Sequence, residues 1–373
     1  MSVVCIRPPL VAGQAPLHER QKIVRTVAVI GAGAAGLAAA RTLRQRPGIT
    51  VALYERGAAL GGRLATGRRE GFIFDHGAQN LRAPTPALER LLRDELAADG
   101  LRDIGLPVWL FSGAGAITPG DPALNAEAKW IYRGGIGQLT DRLAEGLDVR
   151  RETPVAALAP SHDRWLLSGD ANQPLGAADA VLLTSPAPEA AAILAASTLG
   201  AELRQTLLDA LGRARYRRCV SLALAYAGRI ERPFYALLNI DRAHPIAWLA
   251  LEHAKAPERC PPGHSLLMAQ MSPRWSDEHW DATPAAAEQL VAPLVASLLG
   301  DGLGAPLWSD IARWPYALPD SGADFDTLNG SGSGLFFAGD YTAGLGRVHL
   351  AIESGWRAAA AIERWLGAPQ THA

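Results

Sequence analysis

The chain has 373 residues, 49% of them hydrophobic and 20% charged, with a formal net charge of −1. That length suits about two domains; the composition supports a packed core and argues against wholesale disorder, and the charge balance lacks the basic footprint of a nucleic-acid binder. The three cysteines, Cys5, Cys219 and Cys260, include no C-x-x-C pair and point to neither a disulfide framework nor a metal site, which fits a reducing, cytoplasmic setting.

In chain order, residues 1–25 hold Pro8, Pro9 and Pro16 and lack an apolar stretch long enough for a signal peptide, so they read as a loose extension. An apolar strand is expected over residues 27–30. Gly31, Gly33 and Gly36 follow in G-x-G-x-x-G spacing, and an Ala/Leu-rich helix is expected over residues 34–44. Each glycine has a separate job: Gly31 permits the turn out of the strand, Gly33 lets the backbone approach a pyrophosphate, and Gly36 lets helix and strand pack closely. The helix start offers free N–H groups and a positive dipole end to phosphates. A second strand, residues 50–54, ends at Glu55, an acid placed to accept hydrogen bonds from an adenosine ribose. The run predicts a dinucleotide-binding βαβ unit.

Next come Gly61-Gly62-Arg63, a hairpin over residues 66–74, and Asp75-His76-Gly77-Ala78-Gln79. A charged helix is expected over residues 86–98 and another over 137–146. Short strands are expected over 149–151, 155–161, 165–168 and 181–183. Residues 190–302 read as a separate lobe with strands over 219–226, 246–251 and 265–271. Thr283 N-caps its helix, with Pro284 at the first helical position and Leu299 at the end. A short apolar strand then runs into Gly339-Asp340, and a helix extends to about Trp365. Glu353, Arg357, Glu363 and Arg364 interrupt that helix, so it is not a membrane span.

The Gly61-Gly62-Arg63 loop, the run from Asp75 to Gln79, and Gly339-Asp340 followed by Gly346-Arg347-Val348-His349 together resemble the flavin amine oxidase superfamily. Within the second lobe, three shorter runs are similar to renalase-like proteins. Residues 252–259 look like their Ser/Ala-Lys-Pro-x-Arg loop with one extra residue. Ser272-Pro273-Arg274-Trp275-Ser276 is similar to their Pro-Glu-Trp-Ser segment, and Arg313-Trp314-Pro315-Tyr316-Ala317 to their Arg-Trp-Arg-Tyr-Ala run. Two departures are visible: Pro315 stands where a basic residue is usual, and His349 where an acid is frequent.

The resemblance implies an α/β fold. A Rossmann-like FAD-binding domain of the GR2 type would comprise residues 26–82, 126–189 and 305–368. An interleaved α+β substrate domain with an antiparallel sheet would comprise 83–125 and 190–304. It implies noncovalent FAD held along Gly31, Gly33, Ala35, Gly36, Glu55, Arg56, Gly62, Arg63, Ala78, Gln79, Val155, Gly339, Asp340, Arg347 and Val348. For Val155 an ordinary strand position is the alternative to bracketing the adenine. The implied chemistry is an oxidase taking hydride from a small donor, a dihydronicotinamide isomer, to flavin N5 and then to O2, giving H2O2, with no nucleic-acid or membrane partner. An amine oxidase, a desaturase or a non-enzymatic flavin-binding protein remain the alternatives.

Trp314 and Tyr316 are the substrate-side candidates: Pro315 disfavours helix at Trp314, and strict alternation along an extended segment would put both rings on one face. Core packing is the competing reading. His349, at a helix start, is a candidate for contact with flavin or substrate. His76 reads as structural or backbone-contacting. Lys255 is either a lysine near N5, as some amine oxidases have, or a solvated side chain.

Overall fold

The computed structural model describes residues 24–96 and 98–368. All but the last two residues of the expected N-terminal extension, Cys5 included, lie outside them. Five parallel strands form one sheet in the order Leu335–Phe337, Ala180–Leu183, Arg25–Ile30, Ile49–Tyr54, Asp148–Arg150. Its central strands read as unbroken apolar runs because both faces are covered. Val27, Val29, Leu182 and Phe336 face the helices Ala34–Arg44 and Val348–Gly367. Ala28, Ile30, Val181, Leu183 and Phe337 face the opposite way. There they meet a three-stranded antiparallel sheet, Ala157–Ser161, Arg164–Ser168 and Pro174–Ala178, and the helices Ala187–Ala196 and Ala201–Leu211. The last strand of that sheet and both helices are absent from the sequence reading, since their Ala-rich segments carry weak periodicity.

A second, seven-stranded sheet runs in the order Trp308–Ser321, Arg215–Ala227, His264–Met271, Ile246–Leu251, Ala236–Asn239, Val108–Phe111, Ile117–Pro119. It is antiparallel except where Ala236–Asn239 pairs with Val108–Phe111. The helix Pro284–Leu299 covers one face, its Thr283 hydroxyl capping the Ala286 N–H as expected. Phe72 and Phe74 of the hairpin Thr66–Arg69/Phe72–Asp75 pack on the other face, beside Ala223, Ala225, Met268 and Trp308. The two halves of the molecule therefore meet at this hairpin.

Three expectations need correction. Trp308–Ser321 belongs to the seven-stranded sheet, not to the Rossmann-like unit that the boundary at 305 would assign it to; its pairing with Arg215–Ala227 outweighs its nearness in sequence to the last parallel strand. Val155 precedes its strand, which begins at Ala157, and is buried against the second face of the parallel sheet. The charged helix spans Pro86–Arg90, continues as one wider turn over Leu91–Glu95, and stops short of residue 98. Among the described residues no helix is long and apolar enough to cross a membrane, and no His/Cys/Asp/Glu group is arranged to hold a metal ion.

Candidate active site

The C-terminal ends of four parallel strands open onto one edge, the usual place for a ligand in such a sheet. They lead into Gly31, Glu55, Thr184-Ser185 and Gly339-Asp340. Gly31 turns with φ +106°, and a Cβ on Gly36 would lie 2.0 Å from its carbonyl oxygen. Gly33 differs: nothing lies within 4 Å of a Cβ added there. The helix Ala34–Arg44 that follows, with Ala35 in its first turn, has no side-chain cap and no acid in that turn. Its first N–H groups and dipole thus face open space beside Gly33. The helix Val348–Gly367 starts in the same way, after Arg347, with neither a side-chain cap nor an acid. Two uncapped helix starts near one edge suit the two electron-rich parts of FAD, its pyrophosphate and its flavin ring.

The two glycines separate structure from binding. Gly36→Ala is expected to lower folding stability by about 1–3 kcal/mol, because backbone is what the new methyl strikes. Gly33→Ala is expected to keep the wild-type melting temperature but to bind FAD about 5- to 150-fold more weakly, the same energy directed at the ligand. Melting curves and FAD titration of both variants check this. Equal FAD affinity in Gly33→Ala would remove the open space from the binding site.

Glu55 Oε2 accepts from the Ala32 N–H at 2.9 Å and Oε1 from the Gly57 N–H at 2.8 Å, so the acid is held against the glycine loop. Arg63, after Gly62, joins the N- and C-terminal motifs. Its guanidinium grips Asp340 with two 2.8 Å bonds and donates to the Ala317 carbonyl at 3.0 Å. Its own carbonyl accepts from Ala78 N–H at 3.0 Å. Ser185 Oγ, beside Gly31, is buried without a partner among the described residues; nothing in its local sequence signalled it. Arg56 lies on the surface, paired with Glu189 at 2.9 Å.

Gln79 does not present its amide to the edge. Nε2 donates to the carbonyls of Asp75 (2.6 Å) and Gly77 (3.1 Å), and Oε1 accepts from Lys255 Nζ at 2.9 Å. Lys255 is neither solvated nor free. It is fully buried and bonded to Glu252 Oε1 at 2.6 Å. Arg259, equally buried, binds Glu252, Asp75 Oδ2 at 2.7 Å and the Tyr132 carbonyl at 2.8 Å. Asp75 Oδ1 also accepts from Ile136 N–H and Thr66 Oγ1. Two acids and two bases, none of them exposed, thus lock the turn Asp75–Gln79 to the loop 252–259 of the second sheet. Burial pulls the Lys255 ammonium below the usual lysine range, against Glu252 and Asp75, which favour its charge. Sequence reading missed this cluster; only Glu252, Lys255 and Arg259 on one short loop hinted at it.

Trp314 is half-buried, lies opposite Cys219 and donates from Nε1 to the His76 carbonyl at 3.3 Å. His76 Nε2 faces Asp310 Oδ1 at 3.3 Å, and burial lowers the imidazole's proton affinity, opposed by Asp310. Trp314 and Tyr316 do not follow simple alternation. Pairing shifts between Arg217 and Cys219, opposite Trp314–Leu318, so the strand bulges between Trp314 and Leu318. Tyr316 instead meets Tyr216 edge-on, centroids 5.5 Å apart. His349 is half-buried in the first turn of its helix, its imidazole's proton affinity lowered by burial.

Residues 107–363 match the family of flavin containing amine oxidoreductases, and residues 29–94 match an NAD(P)-binding Rossmann-like domain. The chain belongs to the flavin containing amine oxidoreductase family. It is an FAD-dependent oxidoreductase, with the Rossmann-like and sheet-rich units that this family combines. Protoporphyrinogen oxidase 2, chloroplastic/mitochondrial, from Arabidopsis thaliana is 40% identical over 70 residues, which are 19% of this chain and 14% of that enzyme. Cyclohexylamine oxidase from Brevibacterium oxydans IH-35A shares the fold, with a TM-score of 0.72 and 16% identity over 92% of this chain and 100% of that one. Putrescine oxidase bound to putrescine is similar in fold, with a TM-score of 0.69 and 17% identity over 91% of this chain and 99% of the other.

Proposed function

We propose that this family member is an oxidase for a planar, dihydronicotinamide-like hydride donor. FAD, when bound, would supply the two-electron chemistry that couples oxidation of the hydride donor to reduction of O2, with one proton taken up, to hydrogen peroxide. The protein's part is to bind and to orient. Gly31, Gly33 and the start of the helix Ala34–Arg44 would hold the pyrophosphate, Glu55 the ribose, and Arg63 with Asp340 the chain between pyrophosphate and ring. The start of the helix Val348–Gly367 would serve the electron-rich edge of the flavin. Residues 26–82, 126–189 and 335–368 would make up the FAD-binding domain, and the seven-stranded sheet with its helix the substrate domain.

The observation that carries this reading is Trp314. It is half-buried and its indole is tethered by Nε1 to the His76 carbonyl, which would hold the ring beside the cofactor-binding turn. A planar donor ring stacked there keeps a constant distance to its acceptor. Lys255, which an amine oxidase would want near the flavin, is fully buried and engaged by Glu252. Anaerobic mixing with dihydronicotinamides carrying hydride on different ring carbons, and with putrescine, cyclohexylamine and protoporphyrinogen, tests the proposal. Flavin bleaching by a dihydronicotinamide isomer faster than by the other donors supports it, and faster bleaching by an amine or by the porphyrinogen overturns it.

FAD attachment is expected to be noncovalent. Burial pushes the thiols of Cys219 and Cys260 up to about 11 and about 12, leaving them poor nucleophiles. Acid precipitation should leave the yellow colour in the supernatant; colour retained in the pellet would show a covalent bond.

A further inference from the structure

A cavity of about 360 Å³ lies away from the cofactor edge, between the strand Leu101–Asp103 and the segment 229–232, with the loop 252–259 as its floor. Arg102, Arg229 and Arg232 line it, and Glu231 is its single acid among the described residues. Three guanidiniums against one carboxylate leave two positive charges unmatched. The Glu231 side chain is 79% exposed and bridges to Arg229 Nε at 3.1 Å. His253 adds no charge, because burial lowers its proton affinity and its Nε2 is engaged by the Ile230 carbonyl. Arg229 and Arg232 also hold backbone carbonyls, those of His253 and Leu299 among them. The Arg102 guanidinium has no hydrogen bond or ion pair among the described residues. Buried Ile104 and Ile230 supply an apolar wall.

We propose that this cavity binds a small organic dianion, two carboxylate or phosphate groups on a short apolar skeleton. The unmatched charge sets the ligand's valence, guanidinium forks recognise planar or tetrahedral oxyanions, and the volume is that of a small-metabolite site. The site stands apart from the choice of flavin substrate. Its floor has two sides: His253, Ala254 and Pro257 border the cavity, while Lys255 and Arg259, both paired with Glu252, hold Gln79 and Asp75.

Calorimetric titration of the FAD-loaded full chain with succinate at low salt, with uncharged succinamide as comparator, tests the site. Succinate is expected to bind with a dissociation constant of about 1 mM or tighter, and succinamide not to bind. Arg102→Gln breaks no existing bond. It should keep the melting temperature and weaken succinate about tenfold or more. Glu231→Gln, at an exposed side chain, should tighten it. No heat with succinate, equal binding of succinamide, or unchanged affinity in Arg102→Gln would each overturn the proposal.

Discussion

Replacing Arg259 with leucine is expected to cost about 3–5 kcal/mol of folding stability, because it leaves buried Asp75 and Glu252 without their shared counter-ion. The same substitution at a surface arginine such as Arg274, ion-paired to Glu278 in the open, is expected to leave the unfolding midpoint nearly unchanged, because solvent screens that pair. Thermal or urea unfolding of the two variants decides it, and a wild-type midpoint for Arg259→Leu would show that the cluster contributes nothing. The pairwise character has its own check. Lys255→Met alone leaves Glu252 short of a partner, whereas Lys255→Met with Glu252→Gln removes the need for one, so the double variant should be less destabilised than the sum of the singles. The pH dependence has a definite sign. Burial pushes the Asp75 carboxyl up, but Arg259, Lys255, the Ile136 amide and the Thr66 hydroxyl together hold it below its ordinary 3.8. Its contribution is therefore present above that ordinary value and is lost as the pH falls through the lower, folded value. Asp75→Asn should flatten this acid limb of the stability curve.

Trp314→Ala is expected to lower kcat/KM for the hydride donor by about 30- to 150-fold, corresponding to about 2–3 kcal/mol of lost contact and orientation. FAD content and melting temperature should change little, since Trp314 is only half-buried and belongs to none of the hydrophobic core clusters. Trp314→Phe retains the ring but loses the bond to the His76 carbonyl, so its loss should be intermediate. Stopped-flow reduction at equal flavin content measures the effect. A normal reduction rate in Trp314→Ala would take the residue out of the active site, and a large fall in melting temperature with a normal rate per flavin would make it a packing residue.

The half of the site that was legible in the sequence is the half built from neighbours in the chain. Gly31, Gly33, Gly36 and Glu55 lie within one βαβ unit, and their signals are local: a turn at positive φ, a close approach, an acid at a strand end. The helix Pro284–Leu299 and the hairpin Thr66–Asp75 were legible for the same reason, a cap and a period that a short window contains. The Arg63–Asp340 pair spans 277 positions, and only the family pattern suggested that its two ends belong to one site.

What tertiary structure alone decided are the matters of burial and partner. Asp75 and Arg259 are 184 positions apart, and the second sheet brings them together. A lysine in a proline-containing loop reads equally as solvated or as a site residue until the Phe72–Phe74 face closes over that loop; once enclosed, it must find a carboxylate or lose its charge. Strand alternation placed Trp314 and Tyr316 on one face, but pairing with Arg215–Ala227 introduces the bulge that separates their surroundings. Sequence by itself determined the nucleotide-binding unit, because backbone geometry there depends on glycines and strand ends a few residues apart. The ion-pair cluster and the surroundings of Trp314 depend on which distant segments exclude water from one another, and no local period encodes that.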